Sequence, residues 1–487
     1  MSELSLKQRT IFGMLWSCLQ KFGTMTIAFV SNVFLARLLT PSDYGCVGML
    51  MIFIAVANTF IDGGFGSALI QKKRPTQEDY STIFYWNFFL SIVLYGVLFF
   101  AAPYIAKFYK IPLLSSVLQV QGVVLVINAL SIIQVNQLRK KLQFNKIAYV
   151  NIIASVLSVV ITIILACFGW GVWSLVAQQL LYSLFNMILF WSISKWTPSF
   201  LFSKNSFQNL FGFGGFILLS NLLNTFCDNI HGVLIGKFFA PSIMGFYSQA
   251  KKLEEVASTS ISSVVNQVAY PVLAESQNDN ALMIRMLRKF ITSLAFLVFP
   301  LMMLLILVAE PVIILIYSEK WMACVPYFQI LCIAGIAICL QMINYQAVAA
   351  IGKSGVLFKW TVVKRSLGLI FNVSGLIVFG MYGLLFGGVL TAYTLYFINS
   401  YLVSKYVGYK IKTQLRDLLP IIITALVAFV ITYLLSCVII LDFYWKGLLQ
   451  SILFVIIYLG LSYVFRLDSF EIFKALSLVV VKRLKII

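Results

Sequence analysis

His231 is the only histidine in 487 residues, and the eight cysteines have no paired spacing. A zinc centre or a histidine-based catalytic site therefore has almost no raw material, and the cysteines, mostly within apolar runs, read as packing residues. Charge is scarce too: 11% of residues are charged and 61% hydrophobic, with a mean hydropathy of +0.96. So little polar surface cannot cover a soluble fold, which puts the chain in lipid.

About fourteen apolar runs are long enough to cross roughly 30 Å of hydrocarbon as helix. The first lacks a small-residue cleavage site and continues into the loop at Arg37, so it is expected as a retained span. Acids are the scarcer sign, 16 against 36 Lys and Arg, for a formal charge of +20. In a soluble protein that excess suggests nucleic acid; here its placement argues for topology instead. With the N-terminus in the cytoplasm, about 25 basic residues fall in cytoplasmic segments, among them Lys72, Lys73, Arg74, Arg139, Lys140 and Lys141, and about six in outer ones. Both termini are then cytoplasmic, and no nucleic-acid partner is expected.

The nine residues Arg37 to Gly45, R-L-L-T-P-S-D-Y-G, return 200 positions later as K-F-F-A-P-S-I-M-G, Lys237 to Gly245. Duplicated membrane units are typically transporters. The same offset carries Lys21, Thr24 and Ser31, read as sharing a face with Ala28 between them, onto Asn221, Asn224, His231 and, from Ala28, Asp228, and it carries Asn58 and Asp62 onto Ser258 and Ser262. A later echo pairs F-G-W-G at Phe168 with F-G-M-Y-G at Phe379 as tight turns. The predicted fold is an all-α integral membrane protein with two parallel six-helix repeats, 1–205 and 206–415. A C-terminal segment, 416–487, adds two helices and a cytoplasmic tail. Thr40, Pro41 and Asp43 fit a capping box with proline at the first helical position, a structural role; Ala240 and Ile243 lack its side-chain acceptors.

An ionisable group near the bilayer centre costs about 2.5 to 3.5 kcal/mol, so it persists facing a polar interior. Five basic residues, Lys21, Lys251, Lys252, Lys364 and Arg365, fall inside predicted spans, against the acids Asp62, Asp228, Glu254 and Glu255. In the eighth span Ser248, Lys251, Glu255, Ser258, Ser262 and Asn266 recur at steps of three and four, with Lys252 and Glu254 beside them. A plain Lys251–Glu255 pair is the structural alternative. Asp228 and His231, one turn apart, suit a proton or cation site. D-G-G-F-G-S at Asp62 to Ser67 suits either a phosphate cradle or close helix packing.

Three segments carry a family resemblance: K-Q-R-T at Lys7, N-V-F-L-A-R-L-L-T-P-S-D-Y-G at Asn32, and D-G-G-F-G-S-A-L-I-Q-K-K at Asp62. With the duplicated layout, they make the chain resemble the Wzx-type flippases. These form the polysaccharide branch of the multidrug/oligosaccharidyl-lipid/polysaccharide (MOP) exporter superfamily. The resemblance implies a MATE-like fold of two six-helix bundles around a central cavity plus two C-terminal helices. It implies transport of an undecaprenyl-diphosphate-linked oligosaccharide (O-antigen, capsule or exopolysaccharide unit) across the bacterial inner membrane by alternating access.

Residue roles follow from charge. Lys21, Lys251, Lys252, Lys364 and Arg365 are the candidates to attract the diphosphate, and Asn221 and Asn224 to hold sugar. Asp62, Asp228, His231, Glu254 and Glu255 are the candidates for ion coupling. The expected partners are the lipid-linked oligosaccharide, membrane lipids and other polysaccharide-assembly proteins. No cofactor is expected beyond an H+ or Na+ coupling ion.

The alternative is a cation-coupled multidrug exporter, in which Asp62, Asp228 or Glu255 holds an organic cation. An enzyme, such as a glycan polymerase, is not expected. The longest outer segment, around Ala309 to Cys324, offers only Glu310, Glu319 and Lys320.

Overall fold

A computed structural model describes residues 6–277, 279–438 and 443–474. The expected cytoplasmic tail at 475–487 and the side chain of Asn266 lie outside the described residues. The described chain is helical with no strand, and folds as two compact units, Met1–Ser248 and Gln249–Ile487. It is a multi-pass membrane protein: eleven helices are long and apolar enough to cross a bilayer, twelve if the bent pair Lys204–Gly212 and Ile217–Phe238 is one span. One of the eleven, 355–406, turns back on itself, and the helix carrying Lys251, Lys252, Glu254 and Glu255 is not among them.

The first unit opens with α1 (Leu6–Leu38) and α2 (Pro41–Asp62). The expected capping box is present: Asp43 donates its amide to the Thr40 hydroxyl, while its carboxylate accepts from the Thr40 amide at 2.9 Å. Gly63 and Gly64, at φ 53° and 70°, break this span before α3 (Phe65–Gln71). A second capping box, Thr76 with Asp79, starts α4 (Gln77–Tyr109), and Lys72 pairs with the buried Asp79 carboxylate at 2.7 Å. The fourth span is three short helices, α5 (Leu113–Gln121), α6 (Val123–Ala129) and α7 (Ile132–Lys140). Lys140 ends α7 with its ammonium on the carbonyls of Leu69, Ile70 and Lys72, satisfying the acceptors left open where α3 stops.

Next come α8 (Phe144–Cys167) and α9 (Val172–Ser194), joined by a turn with Gly169 at φ 80° and Gly171 at φ 52°. α8 packs between α1 and α9. The long α10 (Lys204–Phe238) runs along α2, α3 and α4. Helix ends keep the 200-residue register: Leu38 and Phe238 close α1 and α10, and Pro41 and Pro241 open the helices that follow. Gly64 meets the backbone of Gly214, so the glycines after Asp62 serve close packing.

The second unit holds most of α11 (Pro241–Glu275), then α12 (Asn280–Leu307), α13 (Ala309–Tyr317), α14 (Val325–Ala350), α15 (Ser354–Tyr406), α16 (Ile411–Val438) and α17 (Phe443–Val464). Non-helical Phe379 and Gly380 split α15 into a hairpin whose arms touch backbone to backbone at Gly375 and Gly383. This is the turn expected at Phe379. α14 packs on α15, and α12 on α14 and α16.

Candidate functional site

In the first unit, Lys21, Asp62, Asn221 and Asp228 are exposed, and Asn224 and His231 half-buried. The ammonium of Lys21 has no ion pair among the described residues. Along the expected common side of Lys21, Thr24 and Ser31, exposure falls from Lys21 through the half-buried Thr24 to Ser31. Ser31, about 80° round the helix from Lys21, is buried and accepts from Gln178 of α9 at 2.9 Å. Thr59 and Thr225 join hydroxyls at 3.0 Å, fixing α2 against α10 beside Asn221 and Asn224.

Asp62 lies beside Gly66, and Asn136 and Arg139 of α7 come near it. Sequence reasoning assigned Arg139 only to the cytoplasmic charge. His231 is one turn from Asp228, and its ring stacks on Tyr247 with centroids 5.7 Å apart.

In the second unit, the polar stripe of α11 divides. Lys251 and Glu255 form the one-turn pair at 3.7 Å, the bland alternative for those two. Glu255 and Lys252 are exposed, whereas Glu254, Ser258 and Ser262 turn inward. Glu254 is 4% exposed and bonded to the Ser258 hydroxyl, and its Oε1 has no hydrogen-bond partner among the described residues. That oxygen occupies the space a side chain on Gly335 would fill, with Cys332 and Cys339 on the same helix, α14. A buried carboxyl with an open oxygen can hold a proton or a small cation, whereas the exposed Glu255 pays no such desolvation.

Lys364 is 5% exposed and donates to Asn399 Oδ1 at 2.9 Å, with the Tyr345 ring 5.6 Å away. No carboxylate pairs with it among the described residues. Asn399 in turn donates to Gln341 at 2.7 Å. One residue on, Ser400 accepts from Asn344 at 3.0 Å and donates to Gln414 at 3.1 Å. Gln414 reaches the carbonyl of Tyr409, and Tyr409 donates to Asp417, which pairs with Arg288 at 2.6 Å. Burial, then the bond to Asp417, pushes the Tyr409 hydroxyl above its ordinary pKa. Arg365, adjacent to Lys364, is half-buried. Sequence reading missed Gln341, Asn344, Asn399, Ser400 and Gln414, although amides inside apolar helices were a usable signal.

The profile of a family described as polysaccharide biosynthesis protein matches residues 34–326. The chain belongs to this family. Among curated relatives, it is 27% identical to the teichuronic acid biosynthesis protein TuaB of Bacillus subtilis, over 73% of this chain and 74% of that one. It is 25% identical to the succinoglycan biosynthesis transport protein ExoT of Rhizobium meliloti, covering 72% and 71%. It is 23% identical to the lipopolysaccharide biosynthesis protein WzxC of Escherichia coli, covering 68% of each. The fold is that of the lipid II flippase MurJ in an inward closed conformation, with a TM-score of 0.76, 15% identity, and 93% of this chain and 98% of that one covered. An inward-facing MATE-family multidrug transporter aligns with a TM-score of 0.62 and 14% identity over 81% and 98%. The expected MATE-like membrane fold and the polysaccharide-exporter resemblance are borne out by these matches.

Proposed function

We propose that this family member flips an undecaprenyl-diphosphate-linked oligosaccharide from the cytoplasmic to the outer leaflet of a bacterial inner membrane by alternating access. Lys21 carries the reading: it is a cation inside a span, exposed, and without an acidic partner among the described residues. An ammonium left uncompensated inside a span is stabilised by an anion the chain does not itself supply, and a diphosphate is such an anion. Asn221 and Asn224 offer amides for sugar hydroxyls on α10, and the lipid tail stays in the bilayer.

Glu254 is the proposed coupling group, taking up H+ or Na+ at its open oxygen in one state of the cycle and releasing it in the other. Lys364 and Arg365 supply positive potential from within the second unit, with Lys364 acting through Asn399 and not by contact. No catalytic step is required, since the cargo leaves chemically unchanged.

The test is complementation of a strain lacking its oligosaccharide flippase, with protein level measured in the membrane. Wild type restores glycan display, and Lys21→Gln loses it at normal protein level. Full complementation by Lys21→Gln overturns the assignment. Resistance to cationic dyes, without complementation, supports a drug exporter instead.

A further inference from the structure

Outer segments are poor in cations by the charge rule that orients the chain, yet three of the about six expected there converge on one place. Lys107 and Lys110 line a cavity of about 460 Å³ with Pro103, Ala106, Pro112 and Ser115. Lys237, from the end of α10, reaches the same turn. Its ammonium donates to the Phe108 carbonyl at 3.1 Å and lies 3.9 Å from the centre of the Phe108 ring.

Lysines near a helix C-terminus are favoured by the helix dipole, which accounts for Lys107 in the last turn of α4. It does not account for Lys110, which follows the last residue of α4 with φ 58°, a conformation that glycine or asparagine adopts more easily. Lys237, in the last turn of α10, is favoured by the dipole of that helix, yet it reaches the end of α4 from outside. None of the three ammonium groups pairs with a carboxylate among the described residues.

The walls indicate what kind of anion fits. Proline and alanine make the floor apolar, and Phe100 and Tyr104, 76% and 77% exposed, stand on the same face of α4 about two turns and one turn before Lys107. Aromatic rings at that level mark the boundary between headgroups and acyl chains. We propose that this cavity binds the phosphate of an anionic bilayer lipid, its acyl chains lying along Phe100 and Tyr104. A free phosphate would use the amines and leave the apolar floor and the aromatic rim idle. The site concerns resident lipid and not cargo, so it stands or falls apart from the transport reading.

The full chain is placed in nanodiscs of phosphatidylcholine, of phosphatidylcholine with phosphatidylglycerol, or of phosphatidylcholine with added inorganic pyrophosphate, and amide exchange is followed across residues 103–116. Phosphatidylglycerol is expected to slow exchange there by about threefold or more, by binding the folded segment. The effect should vanish in Lys107→Gln/Lys110→Gln, whose exchange elsewhere in α4 and α5 serves as the check on folding. Protection that persists in the double variant overturns the proposal, as does no protection by the lipid, or equal protection by pyrophosphate.

Discussion

Gly45 lies against the carbonyl oxygen of Pro241, and its repeat counterpart Gly245 lies against the carbonyl oxygen of Pro41. Each copy of the nine-residue motif thus gives a helix-opening proline and a glycine four residues later, and the two copies clasp reciprocally within Met1–Ser248. A Cβ on either glycine would strike backbone, which cannot rotate aside.

Gly45→Ala and Gly245→Ala should each destabilise the protein by about 1 to 3 kcal/mol, the usual range for overpacking. Gly48→Ala would meet the end of the Met244 side chain, which can swing away, and should be milder. Gly96→Ala, with nothing within 4 Å, should be neutral or stabilising by up to about 1 kcal/mol through helix propensity. Thermal unfolding in detergent ranks the four; equal midpoints for Gly45→Ala and Gly96→Ala would contradict the clasp.

Lys364 and Asn399 separate function from packing. Lys364→Met removes a buried charge while keeping length, so stability should hold or rise. Asn399→Ala leaves the ammonium without its acceptor and should cost about 1 to 3 kcal/mol. If Lys364 shapes the field felt by an anionic cargo, Lys364→Met is normally folded yet transports poorly; unchanged glycan display would assign it to structure.

Asp417 serves Arg288 and Tyr409 together, and its side chain is 6% exposed against 54% for Arg288. Asp417→Ala should therefore destabilise by about 1 to 3 kcal/mol, mostly by orphaning the buried Tyr409 hydroxyl. The raised pKa of Tyr409 has a definite sign. The folded state keeps the hydroxyl protonated where the unfolded chain ionises, so this stability is present below the ordinary tyrosine pKa of about 10 and is lost as pH rises beyond it. Tyr409→Phe should show a shallower alkaline loss of melting temperature than wild type; parallel curves would dismiss the linkage.

Glu254 and Glu255 are neighbours in sequence with opposite exposure. Glu254→Gln should abolish the dependence of transport on an imposed ion gradient while preserving the fold. Glu255→Gln, which breaks an exposed one-turn pair, should change stability by less than about 0.5 kcal/mol and leave coupling intact. Gradient-driven uptake into vesicles reads both. Retained coupling in Glu254→Gln counts against its role.

Much of the fold was legible because a repeat supplies register. The shared ends of α1 and α10, the Thr40–Asp43 capping box and the turn at Phe379 all follow from local patterns. The site was less so. Adjacent helical residues point about 100° apart, so sequence could not choose between Glu254 and Glu255. The Gly45–Pro241 contact joins residues that no periodicity relates, and the inward turn of Ser31 depends on where α9 packs. Amides such as Asn399 are uncharged, so their place in an apolar helix signals burial less sharply than the charge of Lys364.

Lys140 belongs to the cluster of basic residues from which the orientation in the membrane is inferred, and in the folded chain the same ammonium closes the end of α3. During insertion it would act as an address, and after folding it acts as a latch. A reporter experiment that neutralises Lys140 to map sidedness would change both at once, so a misplaced segment and an unfastened one would give the same signal. Lys141, its neighbour, is the cleaner probe of orientation.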